Sequence, residues 1–215
     1  MPANLLSGNY QKKCIKGSKF LSSLDQDWNS LVSSVGPCKL NLSIELEPYQ
    51  ALIKSVIFQQ LPPASATAIF NRFKQNFDNN FPTEEKILAS PESKLKESGL
   101  SFNKRKTIIE IARHVQKGEL ENRQDFLMMN DSQIIEKLTK IKGIGEWTAQ
   151  MLMIFNLGKL DVFPAGDFAL RKNYSLFKSI ASPLTMRELS KISEEWKPFR
   201  SIAAWYLWRY RNILN

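Results

Sequence analysis

The stretch IKGIGEWTAQMLMIF, residues 141–155, places Gly143 and Gly145 one residue apart at the start of an apolar run. A glycine inside a helix costs about 1 kcal/mol relative to alanine, so the pair marks a turn rather than a helix interior. Such a turn is expected to take positive φ, to leave backbone N–H groups facing outward, and to offer an anion such as a phosphate a seat at a helix start. Ile144 between the glycines is expected to pack inward. An ordinary αα-hairpin would use the same residues. Downstream, Asp167 follows Pro164, Ala165 and Gly166 and precedes FALR. At that place a carboxylate serves as a helix N-cap.

Other reactive side chains are scarce. Cys14 and Cys38 lack close spacing and a partner cluster, which argues against a zinc site, an iron–sulfur cluster and a disulfide framework. The single histidine, His114 in IIEIARHVQKG, sits where a helix ends and suits a terminus better than a catalytic triad. Asp161 reads as structural. The chain has 215 residues, 30 Lys+Arg against 21 Asp+Glu, and a formal net charge of +9. That balance favours a polyanionic partner, nucleic acid above all. No apolar run spans a bilayer and the first twenty residues lack a signal-peptide core, so an intracellular, membrane-free protein is expected.

The elements that must position these residues are helical nearly throughout. Asp25 caps a helix over 25–35 with Trp28, Leu31 and Val32 on one face. Pro48 opens PYQALIKSVIFQQ, whose buried side holds Ala51, Ile53, Val56 and Ile57. Leu61, Pro62 and Pro63 break it, and a helix resumes over 64–73. PTEEKILAS, PESKLKESG and FNKRKTIIEIARHVQKG supply three more, the last ended by Gly118. Asn130, Asp131 and Ser132 cap a helix that runs into KGIG, and Trp147 begins the next. Only a short segment, 42–46, has strand character.

LTKIKGIGEWTA followed by DVFPAGDFALR resembles the helix-hairpin-helix DNA glycosylase superfamily. PYQALIKSVIFQQL, GLSFNKRKTIIEIA and EEWKPFRSIAAWYLW agree with it. The chain is identified as similar to the 3-methyladenine DNA glycosylase II (AlkA-like) branch, in its short form without an N-terminal β domain. The resemblance spans roughly residues 25–210. It implies an all-α, two-lobed helical bundle with the hairpin at about 131–155 and a central DNA-binding cleft faced by the hairpin and Asp167. Residues 25–215 would form this domain, with 1–24 an N-terminal extension.

The same resemblance implies a chemistry. Breaking an N-glycosidic bond builds positive charge on the sugar, and Asp167 would stabilise that oxocarbenium-like state as the catalytic carboxylate. An alkylated purine is already cationic and needs no strong general acid. Trp147, Met151, Phe168 and Trp208 would surround the flipped base, their indoles favouring a cationic ring. Trp205 and Tyr206 stay core. Leu61 would be the wedge that fills the gap in the duplex, with Gln59 and Gln60 beside it. Gly143, Ile144, Gly145 and Thr148 would meet the DNA backbone. Carbonyls of Thr139, Ile141 and Ile144 would bridge a monovalent cation to a phosphate, with no other cofactor. Lyase-type relatives have a lysine where this chain has Trp147, which implies base excision without strand cleavage.

Three residues depart from the family pattern. Pro62 stands where Ser or His is common, Ala64 replaces a frequent lysine, and Glu146 puts an acid beside the expected phosphate seat. Two functions follow: a glycosylase for 3-methyladenine-type bases in duplex DNA, or a non-enzymatic binder of damaged or abasic DNA on the same fold. Either would work as a monomer, in the nucleus of a eukaryote or the cytoplasm of a prokaryote.

Overall fold

Capping side chains and proline placement delimit most of the helices. The computed structural model describes residues 3–120 and 122–213. The helices are α1 (Ala3–Ser22), α2 (Gln26–Val35), α3 (Pro48–Phe58), α4 (Pro63–Gln75), α5 (Glu84–Ala89), α6 (Glu92–Glu97), α7 (Phe102–Gln116), α8 (Arg123–Met128), α9 (Asp131–Thr139), α10 (Glu146–Phe155), α11 (Phe168–Phe177), α12 (Met186–Ile192) and α13 (Arg200–Ile213). Among the described residues there is no strand. The segment 42–46, expected to be extended, is a turn in which Leu46 N–H donates to the Ser43 carbonyl. The Ile44 and Leu46 carbonyls accept from the Arg123 guanidinium. A side-chain fork thus does what a neighbouring strand would have done.

The chain divides into two compact units, one comprising residues up to Leu42 and from Met153 on, the other Ser43–Leu152. In the first unit, α13 packs on α1, α2 and α11. Its aromatic centre is Trp28, buried edge-on against Trp196 at 5.4 Å and Phe177 at 5.0 Å. Asp25 caps α2, accepting from Trp28 N–H at 2.8 Å. Most of the segment set apart in the sequence as an extension is α1, and α1 is built into this unit. A Cβ on Gly17 would lie 2.2 Å from Ile202 Cδ1, so only glycine permits that approach. Trp205 and Tyr206 are buried in this core.

In the second unit, α3 packs on α4 and α7, and α7 on α5 and α6. Leu52, Ile53, Val56 and Ile57 of α3 are buried, together with Ile108, Ile111 and Ala112 of α7. The layer sets a rigid base under the loop after α3 and under the turn before α10. His114 ends α7 with Nδ1 2.8 Å from the Glu119 carboxylate, a surface contact far along the helix from that loop. Among the described residues no helix is long and apolar enough to cross a membrane.

Candidate functional site

The glycine turn has one strained residue, not two. Asn130 and Gln133 form a reciprocal cap at the start of α9. After α9 the turn closes with Ile144 N–H donating to the Ile141 carbonyl at 3.0 Å, and both isoleucines are buried. Gly143 has φ +95, and a Cβ there would sit 2.0 Å from Thr107 Oγ1 of α7. Gly145 lies outside the left-handed region, and its Cβ would meet nothing within 4 Å. The expectation of positive φ at both glycines is therefore corrected at Gly145. Gly143 makes the turn possible, whereas Gly145 keeps its outer surface bare. Ala149 N–H donates to the Gly145 carbonyl at 3.1 Å, which starts α10. The first-turn N–H groups of a helix point along its axis with the positive end of its dipole. Glu146 is tied back along the helix, its carboxylate accepting from Gln150 Nε2 at 2.9 Å.

The loop after α3 is held at both ends. Lys104 Nζ donates to the carbonyls of Ile57 at 2.8 Å and Gln59 at 2.9 Å, ending α3 with a cation where its dipole is negative. Burial pushes the Lys104 ammonium below the usual lysine pKa. Gln60 follows at φ +53, a left-handed value uncommon for a residue with a Cβ. Leu61 comes next, half-buried, and then Pro62 and Pro63 with Pro63 opening α4. Gln59 Nε2 donates to Thr148 Oγ1 at 2.8 Å, tying this loop to α10. Both side chains therefore serve an internal contact, and Thr148 is 2% exposed. A cavity of about 240 Å³ beside the loop is lined by Gln60, Leu61, Ile69, Ser101 and Lys104, among others.

Of the remaining expected residues in this unit, Trp147 is 38% exposed at the start of α10, while Met151 one turn on is buried. Thr139 ends α9, its hydroxyl donating to the Ile135 carbonyl at 2.8 Å. Among the described residues no three His, Cys, Asp or Glu side chains converge.

The first unit holds Asp167, Phe168 and Trp208. Asp167 is the N-cap of α11, Oδ1 accepting from Leu170 N–H at 2.9 Å, while its own N–H donates to the Pro164 carbonyl at 2.8 Å. The carboxylate is thereby fixed at the positive end of a helix. Phe168 is 62% exposed, with the Arg171 guanidinium 5.6 Å from its ring centre. Trp208 stacks on Phe155 at 5.7 Å and 29°. Asp161 forms a bidentate pair with Arg200 at 2.8 and 3.1 Å, which fits its structural reading.

Residues 53–198, which include both the glycine hairpin and the capping Asp167, match the model of a known family, described as HhH-GPD superfamily base excision DNA repair protein. The chain belongs to this superfamily. Within it, the Schizosaccharomyces pombe protein named DNA-3-methyladenine glycosylase 1 is 40% identical over 202 residues, covering 93% of this chain and 89% of its own. Alkylbase DNA glycosidase-like protein mag2 of the same organism is 37% identical over 196 residues, covering 90% and 92%. The solved S. pombe 3-methyladenine DNA glycosylase in complex with abasic DNA matches at TM-score 0.86 and 39% identity, covering 90% of this chain and 95% of that one.

Sequence reasoning passed over two residues that shape these HhH-GPD elements, Lys104 and Thr107. Lys104 carried a signal: a lysine in the first turn of α7 opposes that helix's own dipole, so it needs a partner elsewhere. Thr107 carried none, because its contact with the hairpin crosses 36 positions of sequence (143 − 107).

Proposed function

We propose that this chain is a monofunctional DNA glycosylase that excises alkylated bases of the 3-methyladenine type from duplex DNA. The observation that carries the reading is Asp167, a carboxylate locked by its capping bond in a chain that, over 93% of its length, is 40% identical to a protein named DNA-3-methyladenine glycosylase 1. In this reading a methylated purine, already cationic, leaves as its bond to the sugar stretches. The Asp167 charge stabilises the cationic sugar, and water completes the hydrolysis. Trp147 offers an exposed indole face to a cationic base. Met151, Phe168 and Trp208 are assigned to base contact by family correspondence. The amides of Gly143 and Gly145, with the backbone N–H of Thr148, take a DNA phosphate, while Ile144, whose own N–H closes the turn on Ile141, holds the hairpin in shape. Leu61 enters the duplex where the base has left, with Gln60 beside it and Gln59 as its support.

The hairpin carbonyls of Thr139, Ile141 and Ile144 would hold a monovalent cation against that phosphate. Ile141 already accepts one hydrogen bond there, and a carbonyl retains a second lone pair for a cation. The cation would supply positive charge, and no bond is made or broken on it. A chain with these partners works on DNA in the nucleus of a eukaryotic cell.

A second reading is favoured by Pro62, which stands where a polar residue is usual after the wedge: a binder of abasic DNA without turnover. Release of methylated base from a duplex, measured beside binding to an abasic duplex, separates the two. Base release supports the enzyme; tight abasic binding with no release sinks it and leaves the binder.

A further inference from the structure

The loop that carries Leu61 is fixed from outside itself. The residue that fixes it comes from α7, 45 positions along the chain from Gln59. Lys104 Nζ donates to the carbonyl of Ile57, in the last turn of α3, and to that of Gln59, the residue after the helix. From the Gln59 carbonyl to Leu61 there is one residue, Gln60, held at φ +53. On the far side Pro62 and Pro63 have ring-locked φ, and a residue before proline is confined to extended conformations, so Leu61 has little freedom of its own. The Gln59 side chain adds a third restraint through Thr148.

We propose that Lys104 is a positioning residue for damage recognition: by bonding the Ile57 and Gln59 carbonyls it holds Leu61 ready to enter the gap left by a displaced base. The inference rests on reading Leu61 as the wedge. A free loop would lose conformational entropy on entering the duplex, and a preformed one loses less, so the gain appears only where a gap accepts the wedge. Lys104 therefore raises affinity for an abasic duplex over an intact one. A lysine that merely contacted phosphate would raise both equally. The position also explains how a proline after the wedge is accommodated: rigidity replaces a polar contact as the means of presenting Leu61.

The test uses the full chain and two duplexes of identical sequence, one carrying a stable abasic analogue. Lys104→Met keeps the aliphatic stem and removes the donors. It is expected to lower the abasic-to-intact affinity ratio about tenfold, a loss of about 1.4 kcal/mol, with intact-duplex affinity nearly unchanged. Lys104→Arg, which keeps a fork of donors, is expected to restore most of the ratio. In a Leu61→Ala background Lys104→Met is expected to have no further effect, because it acts through Leu61. Gln60→Gly, read against Gln60→Ala, which removes the same side chain from beside Leu61, isolates the backbone. It frees the backbone at a left-handed position and is expected to lower the same ratio while the thermal midpoint holds, even if Lys104→Met proves unstable.

A ratio unchanged in both Lys104→Met and Gln60→Gly, with Leu61→Ala losing it, overturns the positioning role and leaves the wedge. Equal loss on both duplexes, or additivity with Leu61→Ala, also overturns it. An unchanged ratio in Leu61→Ala removes the wedge reading itself, and the inference with it.

Discussion

Two helix starts in this protein solve the same problem in opposite ways. A helix begins with N–H groups that have no carbonyl within the helix to bond. At α11 the preceding residue is Asp167, whose carboxylate accepts one of those N–H groups at 2.9 Å and stands at the positive helix end. At α10 the preceding residue is Gly145, which has no side chain to offer and no neighbour within 4 Å of where a Cβ would stand. One start carries a fixed negative charge; the other has a bare glycine where a capping side chain would stand. In the proposed function the first start serves a cationic transition state and the second a phosphate, so one motif of helix geometry suits both. The capping residue changes, and at α10 the first-turn carboxylate of Glu146 is drawn back onto Gln150.

Four substitutions break or sharpen that contrast, and the first is expected to be the largest. Asp167→Asn keeps an oxygen that can cap α11 but removes the charge. Base release should fall on the order of a hundred- to a thousand-fold in a single-turnover assay, the scale seen when one electrostatic stabiliser is removed. Duplex affinity should persist.

Gly143→Val attacks the turn behind α10. It combines a left-handed φ of +95 with a Cβ 2.0 Å from Thr107 Oγ1. Strain and overpacking together should cost about 2–5 kcal/mol of stability, read from denaturant unfolding. Binding to all duplexes should fall with it.

Gly145→Val should separate binding from folding. Its Cβ meets nothing, so the stability loss should stay within about 1 kcal/mol, the scale of losing a favoured N-cap residue. The side chain would nonetheless stand in the path of a phosphate. Affinity for damaged and intact duplexes should drop alike by about tenfold, measured by titration.

Asp25→Asn is the control for capping alone. Asp25 caps α2 as Asp167 caps α11, but Lys178 Nζ stands 2.7 Å from it. Burial raises the Asp25 pKa, yet the hydrogen bond and charge of Lys178 and the Trp28 N–H outweigh it, and the carboxyl ends below the usual range. A depressed folded pKa stabilises the fold above the unfolded value of about 3.9 and loses that contribution as pH falls through the folded value. The substitution should therefore cost at most about 1 kcal/mol at neutral pH, as for partly exposed pairs. The difference from wild type should close in acid, below about pH 4. Base release at neutral pH should not change.

Much of this arrangement was legible in the chain itself. The caps at Asp25 and Asn130, the proline break before α4 and the inward Ile144 all follow from local rules that act within one turn of backbone. What escaped depends on contacts between distant positions. The choice of Gly143 over Gly145 as the strained residue depends on Thr107 of another helix, and the anchoring of the Leu61 loop on Lys104. Gln59 and Thr148, both expected at DNA, spend their side chains on each other. The first helix hid for a different reason. Its buried face runs through Cys14, Gly17, Ser18 and Leu21, at helical spacing but mostly of small residues, where apolar periodicity is faint. The strand character of 42–46 was misleading because an arginine, not a strand, satisfies that backbone.

The division of labour between the two helix starts is tested most directly by a crossed experiment on Gly145→Val and Asp167→Asn. Base release from methylated duplex is measured at saturating protein, beside duplex affinity for each variant. Gly145→Val should lose affinity and keep its single-turnover rate once saturated, while Asp167→Asn should keep affinity and lose the rate. Rate and affinity falling together in both variants would contradict the division, and normal base release by Asp167→Asn would contradict the assignment of Asp167 to the chemistry.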